Sequence, residues 1–260
     1  VVSQLRALLK AETRDFYGVE VVDGVTLGSE ADEVFVVGGA ATAHGMGGDD
    51  TYYVTDVSTV IEQAGDGTDT VMLSITENHH MAPNVENAVI LGQSTGTVFG
   101  TDERNTIWGN GKANNLRGGA GDDELFGGAG HDNLLGGQGR DILHGEQGRD
   151  VLKGGEGDDV LRGGKGDDAI DGGTGTDTVI FDGAHDDFAI RLAASGETIV
   201  TDRRPDGLEG RDTLTTVEYI EFFDGKALVT DLLAAAPVAV DDNQALDADG
   251  PVFLNLLDND

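Results

Sequence analysis

The sequence predicts an all-β fold: a right-handed parallel β-solenoid of glycine-rich repeats, with irregular β flanks and a short N-terminal helix. Two observations carry this expectation. One nine-residue phrase, G-G-x-G-x-D-x-(Leu/Ile/Val)-x, is written seven times between Gly118 and Ile180, starting at Gly118, Gly127, Gly136, Gly145, Gly154, Gly163 and Gly172. Its sixth residue is always aspartate and its eighth always aliphatic: Leu125, Leu134, Leu143, Leu152, Leu161, Ile170 and Val179. The second observation is composition. With 41 glycines in 260 residues and 38% hydrophobic residues, the chain falls short of the roughly 45–50% apolar content of ordinary domains. Thin repetitive stacking suits it better than a thick core.

Taken in order, residues 1–23 are a lead-in, with Val1, Val2, Leu5, Leu8 and Leu9 on one face of a helix over 1–11. Residues 24–99 read as an eroded version of the repeat. Gly45–Tyr52 puts Asp50 at the sixth position and Tyr52 at the eighth, and Ala64–Val71 puts Asp69 at the sixth. Asp50 and Asp69 are 19 residues apart, so a bulge or loop must separate them. The register of Gly28–Phe35 is ambiguous. Residues 100–181 are the main array, because two weaker copies at Gly100 and Gly109 join the seven in phase and place Asn105 and Asn114 at the sixth position. Residues 182–232 stop repeating. Short strands at Phe188–Leu192, Thr198–Thr201 and Val217–Phe223, with a hairpin signal at Asp224-Gly225, read as a cap over the last open coil. Residues 233–260 open on the linker Ala234-Ala235-Ala236-Pro237 and then start a different β module. The chain begins at Val1 without Met and stops at Asp260 inside an apparent motif, which reads as a fragment of a longer protein.

The chemistry follows from one copy, Gly154–Arg162. Three glycines in four positions permit positive φ and let backbone carbonyls turn towards one point. The last three residues are extended, with Leu161 facing opposite to Val160 and Arg162. Each copy is thus a six-residue turn and a three-residue strand, and two copies close a coil that advances by roughly 4.8 Å. Asp123, Asp141, Asp159 and Asp177 then stack along one edge, and Asp132, Asp150 and Asp168 along the other. Carboxylates stacked at about 5 Å repel unless a cation lies between them. Carboxylates plus carbonyls form an all-oxygen site that suits calcium; magnesium keeps its waters and zinc wants His or Cys. The candidate metal residues are those seven aspartates with Asn105 and Asn114. To them are added the turn glycines Gly119, Gly121, Gly128, Gly130, Gly137, Gly139, Gly148, Gly155, Gly157, Gly164 and Gly166, and, in the eroded region, Asp50 and Asp69. Glu146 replaces the second glycine of its copy and Asn replaces Asp at 105 and 114, so those sites should be weaker. A disordered acidic linker would lack the fixed aliphatic at position eight.

Bulk charge narrows the partners. Sixteen basic against 49 acidic residues give −33. Such a chain repels nucleic acid and anionic membranes, and itself unless cations neutralise it. No cysteine is present, which excludes disulfides and thiolate metal sites. No run of 18 apolar residues exists to span a membrane. His79-His80 does not form H-E-x-x-H and no G-x-S-x-G occurs, so no catalytic residue is assigned. His79, His80, His131 and His144 read as exposed, Trp108 and Phe99 as packing the entry of the roll, and Arg140, Arg149 and Arg162 as outward charges offsetting acidic neighbours.

The array resembles the repeats-in-toxin (RTX) family, bacterial proteins exported by type I secretion that fold into a parallel β-roll on meeting calcium outside the cell. The resemblance covers residues 100–181 strongly, and 24–99 and 182–232 as degenerate flanks. Residues 237–260 resemble the start of a bacterial cadherin-like module of the kind that recurs in large surface adhesins. The resemblance implies calcium as the cofactor, an extracellular location, the type I secretion machinery as a partner and a cell-surface or polysaccharide ligand. It implies a calcium-binding structural module of a secreted or surface protein, in the first instance an adhesin. The alternative is an accessory calcium-binding or carbohydrate-binding array of an extracellular protease, lipase or alginate epimerase whose catalytic domain lies outside this chain.

Overall fold

The computed structural model describes residues 20–235, apart from 23–24, 39–41, 56–58, 66 and 206. The helix expected over 1–11 and the β module expected over 237–260 lie outside the described residues. About half of the described residues lie in strands, most of the rest are turns and loops, and helix is confined to two short segments.

The chain winds as a parallel solenoid with two walls. One wall is a single eleven-stranded sheet running from Val34–Val37 to the hairpin Tyr219–Phe222/Gly225–Leu228. The opposite side holds a four-stranded sheet ending at Thr59–Ile61 and a nine-stranded sheet starting at His79–His80. Leu125 pairs with Leu143 and Leu143 with Leu161 in the first wall; Leu116, Leu134, Leu152 and Ile170 pair in sequence in the second. Two nonapeptides therefore close each coil. The column of eighth-position side chains is fully buried and continues through Ile107, Ala88, Val71, Tyr52 and Phe35. The eroded residues 34–99 thus belong to the same solenoid.

Two sequence expectations need correction. Between Asn115 and Thr174 the strands of the array are six or seven residues long, as in Ile142–Gly148; only the first and last, Thr106–Trp108 and Thr178–Ile180, keep the expected three. After a break at the first glycine, pairing resumes through the second and third positions, where Gly119 pairs with Gly137 and Ala120 with Gln138. Residues 182–232 also do more than cover an end. After the antiparallel hairpin Phe188–Leu192/Thr198–Asp202, strand Arg211–Thr215 lies parallel against Ala169–Thr174, and Tyr219–Phe222 lies parallel against Thr178–Ile180. The chain leaves the solenoid at Phe181, builds a small aromatic core of Phe181, Phe188 and Phe222 with ring centroids 5.1–6.0 Å apart, and returns to complete one more coil. The helix Val229–Ala235 follows, across the expected boundary between cap and linker.

The apolar column is thin for the chain it must order. One buried leucine contributes about 1.5–3 kcal/mol, whereas each residue ordered costs about 1–2 kcal/mol of backbone entropy. One leucine per nonapeptide cannot offset nine residues, so the turns must contribute.

Glu146 occupies the left-handed region at φ 73°, where the other six strong copies have glycine, and its neighbours in the sheet are Gly128 and Gly164. A non-glycine residue there costs on the order of 1–3 kcal/mol, partly offset by the roughly 0.5–1 kcal/mol that glycine loses in entropy. Glu146→Gly should therefore stabilise the calcium-loaded fold by about 1 kcal/mol. Thermal unfolding in excess calcium checks this; a lower midpoint than the parent's would mean that the Glu146 backbone carries no strain.

Candidate metal centres

The turn glycines and the sixth-position aspartates form one repeated unit. Each aspartate folds back over the first glycine of its own copy. A Cβ on Gly118 would collide with the Asp123 carboxylate, and the same holds for Gly136 with Asp141 and Gly154 with Asp159. Its Oδ1 accepts a hydrogen bond from the backbone N–H of the sixth residue one coil earlier. Asp123 donates to Asp141, Asp141 to Asp159, Asp132 to Asp150 and Asp150 to Asp168, at 2.7–2.8 Å. Two ladders result, one along each edge.

The second carboxylate oxygen has no such partner. Oδ2 of Asp50, Asp123, Asp132, Asp141, Asp150, Asp159, Asp168 and Asp177 is buried and accepts no hydrogen bond within the protein. An orphaned buried carboxylate oxygen costs several kcal/mol unless something charged meets it. The backbone supplies the rest of an oxygen shell. At Gly137, φ 130°, a Cβ would overlap the Gly119 carbonyl oxygen, and at Gly139 that of Gly121. Second- and fourth-position carbonyls therefore point towards the following coil, while the Gly118 carbonyl points back at Gly100. Orphaned carboxylate oxygens, converging carbonyls and no nitrogen or sulfur ligand make a donor set that fits calcium.

The structure extends both ladders beyond the residues picked from the sequence. Glu33 and Asp50 each donate to the next rung, Asp50 and Asp69, and Asp69 N–H donates to Glu86 Oε2 at 2.7 Å. At the other end Asp177 N–H donates to Glu218 Oε2 and Asp168 N–H to Asp212 Oδ1, both at 2.8 Å. Glu33, Glu86, Asp212 and Glu218 were missed because no glycine phrase surrounds them. Their spacing from a known rung is the one signal available, and for the first two it is 17 residues. The 19-residue gap between Asp50 and Asp69 leaves them stacked, the extra residue being taken up in the turn. The Asn rungs differ in kind. Asn105 Oδ1 accepts from Thr101 N–H at 2.6 Å and its amide donates to the Val85 carbonyl at 3.0 Å; Asn114 accepts from Asn110 N–H at 2.8 Å. Hydrogen bonds close these two rungs and leave no orphaned oxygen.

Outside the ladders, His79 is not exposed: it lies in a strand with Nε2 buried, and burial pulls its pKa down to about 4. His80 is exposed and stacks on Phe99 at 4.2 Å. Trp108 and Phe126 stack outward at 5.9 Å and Phe126 and His144 at 4.8 Å, so Trp108 and Phe99 do not pack the interior. Arg162 pairs with Asp182 at 2.8 Å and Arg140 with Asp122 at 3.8 Å, as outward charges.

The model of the RTX calcium-binding nonapeptide repeat, four copies long, matches residues 99–134, 108–143 and 144–179. That stretch consists of RTX calcium-binding nonapeptide repeats, and the β-roll they form is a structural calcium-binding module. No curated protein matches the chain. Among the described residues no helix is long and apolar enough to cross a membrane.

Burial raises the ladder carboxyls from their ordinary 3.8, to about 7 at Asp123, Asp150 and Asp159 and to about 6 at Asp141 and Asp168. The metal-free fold thus holds protons more tightly than the unfolded chain. That stabilisation is complete below the unfolded pKa near 3.9 and lost as pH rises through about 6–7. In chelator, strand content by circular dichroism should be higher at about pH 5 than at about pH 8. In excess calcium the order should reverse, because the metal needs ionised ligands. Equal strand content at both pH values in chelator would show that the ladder carboxyls do not limit folding.

Proposed function

We propose that this chain is a calcium-folded structural module of a secreted or cell-surface bacterial protein, and within that class an adhesin. The observation that carries the calcium-driven fold is the row of buried Oδ2 atoms without a partner in the protein. Without metal the two ladders repel and the single aliphatic column offers too little burial. Calcium bound by the folded chain alone supplies the missing stability. The outside of a cell offers millimolar calcium, and the RTX resemblance supports export by type I secretion to reach it. The cadherin-like resemblance of residues 237–260 supports the adhesin role over that of an enzyme's accessory array.

In this reading calcium lies between copies two apart: 123/141, 141/159, 159/177, 132/150 and 150/168. The backbone carbonyls of the turn glycines complete each shell. Asn105 and Asn114, whose Oδ1 atoms already accept hydrogen bonds from Thr101 and Asn110, give weaker sites. The cap residues Asp212 and Glu218 close the last rung on each edge, which ties residues 182–232 to the array by the same ion ladder.

Asp150 belongs to two sites, whereas Arg149 is exposed and its backbone N–H donates to His131 Nδ1 at 2.9 Å. Asp150→Ala should raise the calcium concentration at the folding midpoint several-fold. Arg149→Ala should move stability by no more than about 0.5 kcal/mol. Circular dichroism during calcium titration of both variants is the test. Equal midpoints for Asp150→Ala and the parent, or strand content already complete in chelator, would sink the proposal.

A further inference from the structure

Ahead of the seven-copy array, two departures from the repeat phrase meet. The residue after strand Val25–Leu27 is Gly28 and the residue after Thr42–His44 is Gly45, but the residue after Thr59–Ile61 is Glu62. The eighth position of strand Thr51–Val54 is Tyr52, where the array has an aliphatic residue. Both are buried, and the Tyr52 hydroxyl donates a hydrogen bond to Glu62 Oε1. The rungs of the same coils, Asp50 and Asp69, are buried beside them and linked at 2.8 Å from Asp50 N–H to Asp69 Oδ1. One oxygen each of Asp50, Glu62 and Asp69 lies within 4.8 Å of the other two.

The cluster is aimed at a common point. Asp50 is 1% exposed and its Oδ2 has no hydrogen-bond partner. A Cβ on Gly45 would collide with Asp50 Oδ2, Tyr52 Oη and Glu62 Oε1 together. Three oxygens therefore converge on the space that this glycine leaves open. The ladder accounts for Asp50 and Asp69, but it gives no reason to bury a third carboxylate beside them where the array has glycine. Buried like charges are costly unless a cation joins them.

We propose that Asp50, Glu62 and Asp69, with the Tyr52 hydroxyl, form a calcium site of a second kind, in which a third side-chain carboxylate stands where the array has glycine. The spacing agrees: two ligands at 2.3–2.6 Å from one calcium ion are up to roughly 4.6–5.2 Å apart. The donors are all hard oxygens, which disfavours zinc. Three carboxylates give this site more charge than an array site with two, and affinity rises with ligand charge. It fills at lower calcium than the array and fixes the N-terminal coils before the array is loaded. The site lies outside the residues matched by the repeat model and does not depend on calcium being held in the array.

Terbium, a trivalent calcium mimic that emits when a nearby tyrosine is excited, tests this on the full chain in calcium-free buffer. Emission should saturate at low terbium, and Tyr52→Phe should remove most of it despite Tyr17, Tyr53, Tyr219 and Trp108. Glu62→Gln and Glu62→Gly should each raise the terbium concentration at half-saturation by at least about fivefold. Glu62→Gly installs the residue that Gly28 and Gly45 represent in neighbouring coils, so it should keep the strands, which circular dichroism in excess calcium checks. Arg149→Ala, at an exposed residue, should leave this midpoint in place. A shift below fivefold in both Glu62 variants, or emission that survives Tyr52→Phe in full, overturns the site. Failure of the array reading appears elsewhere, as an Asp150→Ala chain whose calcium-driven folding is unchanged.

Discussion

Everything in this solenoid depends on a carboxylate used twice. One oxygen of each sixth-position aspartate accepts the backbone N–H of the coil before it and sets the spacing. The other is buried with nothing in the protein to meet it. The first contact makes a ladder and the second makes the ladder unstable alone. Shape and metal requirement therefore come from the same side chain. The first glycine of each copy is the complement, since any side chain there would occupy the place of the carboxylate.

The same unit explains why the flanks lose the phrase and keep the fold. Glu33, Glu86, Asp212 and Glu218 take a rung without the surrounding glycines, because the ladder asks only for a carboxylate opposite a backbone N–H. Asn at 105 and 114 shows the other option. An amide brings its own donor, satisfies a carbonyl of the preceding coil and closes the rung without charge. The seven strong copies thus begin where these two neutral rungs give way to charged ones.

Period, ladder and aliphatic column were legible in the sequence because an exact nine-residue repeat states all three at once. Residues 34–99 were legible as kin but not as coils, since spacings of 17 and 19 hide the register that sheet pairing restores. The return of residues 211–222 to the solenoid was hidden for a different reason. Its rungs lie 44 and 41 residues from their partners, and no local pattern announces so long a detour. Glu62 was passed over because its role appears only when the position-one glycines of neighbouring coils are aligned with it. The outward stack of Trp108, Phe126 and His144 was within reach, since the 18-residue spacing places all three at one position of successive coils.

The detour at Phe181 gives the solenoid a direction. Most coils are closed by contacts 17 to 19 residues apart, so each can open by freeing one short loop. The last coil is stitched to the array across 41 to 44 residues and an aromatic core of its own. Detaching it means releasing the whole hairpin and helix together. A force or a protease working from the N-terminal side meets a ratchet of small, equal steps. From the C-terminal side the first step is the largest, and the cap acts as a lock on the series behind it.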